Sequence, residues 1–192
     1  MRFLIHPALW FALSSLAVGK NIPLKSTPAE LRAIKSPPAK VRAIVDAMLP
    51  RVIDWYETVE AQFLPLGRPL SSRELVIAES LDVGEPGKIR VVILDQFPMP
   101  TDPELFREAK RLGFDNGNVV GRTNGNVIFL KPEASTDETV LAHECVHVGQ
   151  IRRLGVRAFL REYVLELETV GYRRAPLELE AWSRQGIPFR HR

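Results

Sequence analysis

The sequence predicts a single α+β domain in which a small antiparallel sheet packs on amphipathic helices. Its 192 residues, 45% hydrophobic and 26% charged, have the composition of a globular protein with one core. Apolar residues recur at the three- and four-residue steps of amphipathic helices in both halves of the chain. Between the halves, a β-branched run and a hairpin signal indicate strands.

The first 38 residues lie outside this predicted domain. Residues 1–19 hold one basic residue and then a largely apolar run of 16 residues, which is short for a membrane span of about 20. This run predicts either a signal peptide or anchor, or a helix that packs on the domain. Residues 20–38 are rich in proline and predict an irregular linker. The localisation therefore stays open between an exported or membrane-anchored protein and a cytoplasmic one.

The domain itself, residues 39–190, is expected to begin with a helical part at residues 39–82. Apolar residues repeat at helical spacing from residue 39 to residue 64 and predict a long amphipathic helix. A shorter helix is expected to end at about Leu81, with Ser71 or Ser72 as its N-cap.

The strands are expected at the start of the second part, residues 86–185. Residues 88–95 are rich in β-branched side chains and predict a strand. Residues 104–112 predict a short helix. Apolar runs on both sides of Asn124-Gly125 predict a hairpin, because this dipeptide favours a tight turn between strands. We expect these strands to form the small antiparallel sheet.

Three helices complete the predicted fold. Residues Ser135 to Glu138 match a capping box and predict a helix from about Thr136 to Leu154, which ends at Gly155. Residues 156–170 and 177–185 predict two further helices. The short connections between them indicate that the last helix returns toward the first.

Charge and cysteine content exclude several classes of function. The net charge is +3, and no block of Lys and Arg with interleaved aromatic residues occurs, so we expect no nucleic-acid partner. The single cysteine, Cys145, excludes an intrachain disulfide and the Cys-rich zinc modules. Its direction on the helix, about 160° from His147, indicates a buried packing residue. The oligomeric state stays open.

The residues from His143 to His147 form the motif H-E-x-x-H in the middle of a predicted helix. The two histidines are about 40° apart around the helix and one turn apart along it. This is the spacing that two imidazoles need to bind one zinc ion. Glu144 could then accept a proton from metal-activated water. The alternative interpretation is an ordinary helix with two hydrogen-bonded histidines.

A catalytic zinc needs a third protein ligand. In the pattern H-E-x-x-H-x-x-G-x-x-H, the glycine and the third histidine fall on Gln150 and Arg153 in this chain. Because that third histidine is absent, we expect the third ligand to be a carboxylate from the last helix. Glu178 and Glu180 are about 200° apart around that helix, so only one can face the metal. The small Ala181 allows close helix packing beside Glu180, which we favour, with Glu178 as the alternative. Three further glutamates are interpreted as a solvated or salt-bridged helix face: Glu162, Glu166 and Glu168.

The HECVH stretch followed by a Glu-Ala helix resembles the zincin metallopeptidases of the glutamate-ligand type, the gluzincins. With Gln150 the match extends to H-E-x-x-H-x-x-Q, a form that resembles small bacterial zincin-like domains. The resemblance covers residues 86–185 and implies a zincin-like fold that hydrolyses a peptide bond with one Zn²⁺. It implies these site residues: His143, His147 and Glu180 as zinc ligands, and Glu144 as general base. The usual Glu-x-x-x-Asp pattern is not kept, since Arg184 stands four residues after Glu180.

Other residues are candidates for substrate contact. Gln150 could orient a ligand or touch substrate, or it could make an interhelical hydrogen bond. Tyr163 and Tyr172 are candidates to stabilise an oxyanion, or are core residues. The resemblance also implies that an edge strand pairs with an extended peptide, and we expect that strand at Val127–Lys131.

The expected partner is a peptide or protein substrate. Two alternatives stay open. The domain could keep zinc for binding without catalysis, or it could be a membrane-anchored zincin that acts on surface partners.

Overall fold

The computed structural model describes residues 25–115 and 119–186, so the predicted signal peptide or anchor at residues 1–19 lies outside the described residues. Within them, seven α-helices and four strands form an α+β fold. The helices are α1 (Pro28–Lys35), α2 (Ala39–Phe63), α3 (Ser72–Ser80), α4 (Pro103–Arg111), α5 (Glu138–Leu154), α6 (Val156–Val170) and α7 (Pro176–Arg184). The strands are β1 (Arg68–Pro69), β2 (Arg90–Ile93), β3 (Gly121–Asn124) and β4 (Val127–Leu130). Across residues 25–115 and 119–186, no helix combines the length and the apolar character needed to cross a bilayer.

Helix α1 lies within residues 20–38, where the prediction of an irregular linker is partly wrong. Thr27 Oγ1 accepts a hydrogen bond from the Glu30 amide at 3.2 Å, and the Glu30 carboxylate accepts one from the Thr27 amide at 2.7 Å. Pro28 occupies the first helical position, where its missing N–H costs nothing. Arg174 then pairs with Glu30 and anchors the helix. A capping box with proline at its first position starts a helix despite the high proline content.

The sheet is mixed rather than antiparallel, with strand order β1-β2-β4-β3. The predicted hairpin of β3 and β4 is antiparallel, but β2 and β4 run parallel, with Arg90 opposite Val127. Helix α4 connects β2 to the hairpin, and a crossover of this kind permits parallel pairing. The prediction that Val127–Lys131 is the edge strand is therefore wrong, because β4 is internal and the edge strands are β1 and β3.

Helices cover both faces of the sheet. Ile128 and Leu130 point to one face and pack with residues of α3 and α5. Val127 and Phe129 point to the opposite face and pack against the second half of α2. A third apolar cluster joins α2, α5 and α6. Helix α5 is consequently enclosed along most of its length, and Cys145 within it has no exposed surface, which confirms its predicted packing role.

Helix α5 begins two residues later than the capping box predicts. Asp137, not Ser135, is the N-cap: Asp137 Oδ1 accepts hydrogen bonds from the Thr139 and Val140 amides at 2.8 and 3.2 Å. Ser135 ends a 3₁₀ turn and donates its hydroxyl to the Pro132 carbonyl at 2.7 Å. Because Ser135 ends this turn, it does not serve as the N-cap that the local motif predicts.

Short connections return the last helix to α5. Gly155 and Gly171 end α5 and α6 with φ angles of 80° and 78°, a left-handed conformation that glycine adopts without steric cost. Helix α7 then packs against α5. The predicted return of the glutamate-bearing helix is confirmed.

Candidate metal centre

Two residues of α5 and one of α7 bring three ligand atoms together in the interior. His143 Nε2 lies 3.2 Å from Glu178 Oε2, and His147 Nε2 lies 3.4 Å from Glu178 Oε1. The two Nε2 atoms are 3.1 Å apart. All three residues are buried, and this group could hold a metal ion.

The carboxylate that faces the histidines belongs to Glu178, so the preference for Glu180 is wrong. Glu178 is 1% exposed. Glu180 points toward solvent, where Arg153 and Arg184 pair with its carboxylate at 2.9 and 3.4 Å. Its ion pairs, with a hydrogen bond from Gln150, hold the pKa of Glu180 below its usual value despite partial burial.

The small residue Ala181 explains the error. Ala181 is fully buried in the core cluster that includes α5, as expected for a close helix approach. Ala181 stands three positions after Glu178, which puts the two about 60° apart around the helix, whereas Glu180 is about 100° away from Ala181. The small residue therefore marks the face of Glu178.

Hydrogen bonds determine which nitrogen of His147 carries its proton. The Gln150 amide nitrogen donates to the Leu177 carbonyl at 2.9 Å and to Glu180 Oε2 at 3.1 Å. This orientation directs Gln150 Oε1 to His147 Nδ1, at 2.8 Å. An amide oxygen only accepts, so Nδ1 donates and a neutral His147 presents the lone pair of Nε2 to Glu178. Gln150 thus combines both predicted roles, since it orients His147 and bridges two helices.

Gln185 supports His143 in the same way, and sequence reasoning missed it. Gln185 Oε1 lies 2.9 Å from His143 Nδ1. Gln185 stands seven residues after Glu178, two turns along the same helix face. That spacing is a usable signal once Glu178 is recognised as the inward glutamate. Metal-binding histidines commonly donate their outer N–H to such an oxygen.

The donor set fits a cation. When both histidines are neutral and donate through their outer nitrogens to amide oxygens, two imidazole lone pairs and a carboxylate converge at 3.1 to 3.4 Å. Burial favours a neutral His147, yet the charge and hydrogen bond of Glu178 raise the pKa of His147. Burial also opposes ionisation of Glu178, but His147 and His143 hold its pKa well below the usual range. The site thus favours positive charge at its centre, which a proton or a metal ion can supply.

Two tyrosines contact the Glu178 carboxylate. Tyr163 donates its hydroxyl to Glu178 Oε1 at 2.7 Å, and Tyr172 also interacts with Glu178. Burial raises the pKa of both phenols well above their ordinary value, so they stay protonated donors at neutral pH. Both line the cavity beside the cluster, and their predicted role toward an oxyanion stays a prediction.

The three competing glutamates of α6 do not join the cluster. Glu166 is buried but accepts a hydrogen bond from the Leu177 amide at 3.0 Å. Glu168 pairs with Arg111, and Glu162 is exposed. The solvated or ion-paired interpretation therefore fits Glu162 and Glu168, whereas Glu166 is an interior residue.

Glu144 lies next to the cluster, and a residue of the sheet holds its side chain in place. The Thr123 hydroxyl donates to Glu144 Oε2 at 2.7 Å. Glu144, both histidines and Glu178 line one cavity of about 410 Å³. Helices α2, α4 and α6 contribute mostly apolar walls to this cavity, and edge strand β3 passes along it.

The site thus combines three parts. They are a buried donor set of two imidazole nitrogens and the Glu178 carboxylate, the separate carboxylate of Glu144, and a cavity that these residues line. Comparisons with protein-family models, curated proteins and solved structures find no match to this chain.

Proposed function

We propose that this protein is a zincin-type peptidase, with one zinc ion held by His143, His147 and Glu178. The observation that carries the proposal is the convergence of two imidazole nitrogens and the Glu178 carboxylate, which lie within 4.8 Å of one another in the interior. Two imidazoles and one carboxylate are the ligand set of many catalytic zinc sites, whereas structural sites use four protein ligands. Within the described residues the group offers three, which favours an open, catalytic site over a purely structural one.

The chemistry divides between the metal and Glu144. Zinc, when bound, supplies Lewis acidity that makes water nucleophilic near neutral pH. Glu144 accepts the proton of the attacking water and later delivers it to the departing amine. Thr123 holds one oxygen of Glu144, which keeps the carboxylate beside the cavity where a substrate would lie. Gln150 and Gln185 keep the histidine lone pairs directed inward.

Metal analysis of matched variants tests the site. Purified wild-type protein is expected to contain about one zinc per chain, and Glu178→Ala to lose it. Glu180→Ala is the matched control, two residues away on the same helix, and should retain zinc. Retention in Glu178→Ala with loss in Glu180→Ala would overturn the assignment, and so would wild-type protein that binds no zinc after refolding with it.

A second variant separates catalysis from metal binding. Glu144→Gln keeps the size of the side chain but removes the base, so we expect full zinc content and at least about 100-fold slower cleavage of a mixed peptide substrate. If wild type and Glu144→Gln both bind zinc and neither cleaves peptides, the domain is a non-catalytic zinc-binding module instead.

A further inference from the structure

Two polar side chains of edge strand β3 are buried without a hydrogen-bond partner in the part of the chain that the structure describes. Arg122 is 8% exposed and Asn124 is fully buried. Among the residues that the structure describes, no partner reaches Nε, Nη1 or Nη2 of Arg122, or either amide atom of Asn124. Buried polar groups in proteins are nearly always paired, so this pair requires an explanation.

Aromatic rings surround the guanidinium of Arg122. Its central carbon lies 5.7 Å from the ring centre of Trp55 and 5.4 Å from those of Phe97 and Phe129. Cation–π contacts of this kind offset part of the cost of burying a cation. They leave the planar set of N–H donors unused, and a buried charge without a hydrogen-bonding partner is costly.

The pair borders the same cavity as the metal centre. Arg122 and Asn124 line it together with His143 and Glu144. Alternate residues of a strand point to opposite faces: Thr123 points to Glu144, whereas Arg122 points to the face of Phe129. A ligand that lies along the edge of β3 can therefore reach Glu144 on one face of the sheet and Arg122 on the other.

We propose that Arg122 and Asn124 form a carboxylate-binding subsite of this cavity. A guanidinium fork matches a carboxylate with two parallel hydrogen bonds, and the Asn124 amide can donate a further one. The apolar cavity walls and the rings around Arg122 favour a hydrocarbon stem next to the carboxylate. As a statement about peptides this rests on the proposed function: the preferred substrate carries either an acidic side chain or a free C-terminal carboxylate at this subsite.

Small probes test the subsite without hydrolysis. We would measure binding of 3-phenylpropionate and of its neutral amide to the zinc-loaded full chain by calorimetry. Wild type is expected to bind the carboxylate at least about tenfold more tightly than the amide. Arg122→Gln should lose this preference. It removes an unpaired buried charge, so it should fold at least as stably as wild type.

Two further variants keep the result interpretable. Asn124→Asp adds an anion beside Arg122 and should weaken carboxylate binding while the fold is kept. His143→Ala removes a zinc ligand but should retain the carboxylate preference. The subsite is overturned if wild type binds both probes equally, or if the preference survives Arg122→Gln. Loss of the preference in His143→Ala, with Arg122→Gln unaffected, assigns the carboxylate to zinc and overturns it as well.

Peptides then distinguish the two sources of the carboxylate. One pair of peptides differs only in an internal Glu or Gln, and a second pair differs only in a free or an amidated C-terminus. Within one of the two pairs, the peptide that carries the carboxylate should be cleaved about tenfold faster than its neutral counterpart. Arg122→Gln should abolish that difference. Equal rates for both pairs overturn the peptide assignment. Arg122-dependent probe binding without any peptide cleavage would reject the proposed peptidase activity and leave the subsite standing.

Discussion

Glu144 is positioned by two neighbours on strand β3. The Thr123 hydroxyl binds one of its oxygens, and Gly121 leaves room for the other. A Cβ atom at residue 121 would lie 2.7 Å from Glu144 Oε1 and 2.9 Å from Val140 Cγ1, closer than van der Waals contact allows. A glycine at position 121 therefore lets the strand approach α5 at Glu144.

Under the proposed function, Gly121→Ala should impair catalysis without loss of metal. The added methyl must displace Glu144, and small misplacements of reacting groups cost up to about 100-fold in rate. We expect peptide cleavage at least about tenfold slower with zinc content unchanged, because the atoms nearest to the added methyl belong to Glu144 and Val140 and not to His143, His147 or Glu178. Gly87→Ala is the control, since a Cβ there meets nothing within 4 Å. Wild-type cleavage by Gly121→Ala would contradict this positioning role.

Helix α5 carries both histidines and Glu144, so its start bears on the whole site. Asp137 satisfies two of the amides that have no partner within the helix. Its negative charge also interacts favourably with the helix dipole. The helix is further stabilised by apolar packing on both the sheet and α7.

Asp137→Ala should therefore destabilise the fold by about 1 kcal/mol, within the range of roughly 0.5–2 kcal/mol for lost N-caps. Ser135→Ala, which loses only a hydrogen bond to the Pro132 carbonyl, should cost less. Urea unfolding of both variants measures the difference. A larger loss for Ser135→Ala would favour the capping box read from the sequence over the observed cap.

At the scale of the whole molecule, a buried carboxylate joins α6 to α7. Glu166 is 5% exposed and accepts a hydrogen bond from the Leu177 amide at 3.0 Å. Burial raises the pKa of Glu166 from 4.5 to about 8, although that hydrogen bond lowers it. The folded protein consequently binds a proton here that the unfolded chain releases above pH 4.5.

This linkage predicts a pH-dependent stability. A raised pKa of the folded state contributes stability below pH 4.5, and that contribution is lost as the pH rises toward about 8. The effect is on the order of 5 kcal/mol. Glu166→Gln keeps an acceptor for Leu177 and should flatten the profile between pH 4.5 and 8. The exposed Glu162→Gln serves as the control, and an unchanged profile in Glu166→Gln would contradict the linkage.

Local patterns determine six of the seven described helices and the hairpin. Helical periodicity and the Asn124-Gly125 turn depend on neighbours along the chain, so they can be read without tertiary information. The H-E-x-x-H spacing likewise places His143 and His147 on one face of α5 before any packing is known. Helix α1 is the exception, because the high proline content of residues 20–38 indicates an irregular segment whereas the capping box of Thr27 and Glu30 starts a helix.

Only the tertiary structure decided which glutamate faces the two histidines and which strand of the hairpin lies at an edge of the sheet. The sequence alone is compatible with either Glu178 or Glu180 on the inner face of α7. Which of them faces inward depends on the rotation of α7 about its axis when Ala181 packs in the core. The edge position of β3 depends on parallel pairing of β2 with β4 across a long crossover. Contacts between segments far apart in sequence determine both the inward glutamate and the edge position of β3, so no local pattern encodes either. The buried side chain of Arg122, without a hydrogen-bond partner among the described residues, can likewise be identified only from the tertiary structure.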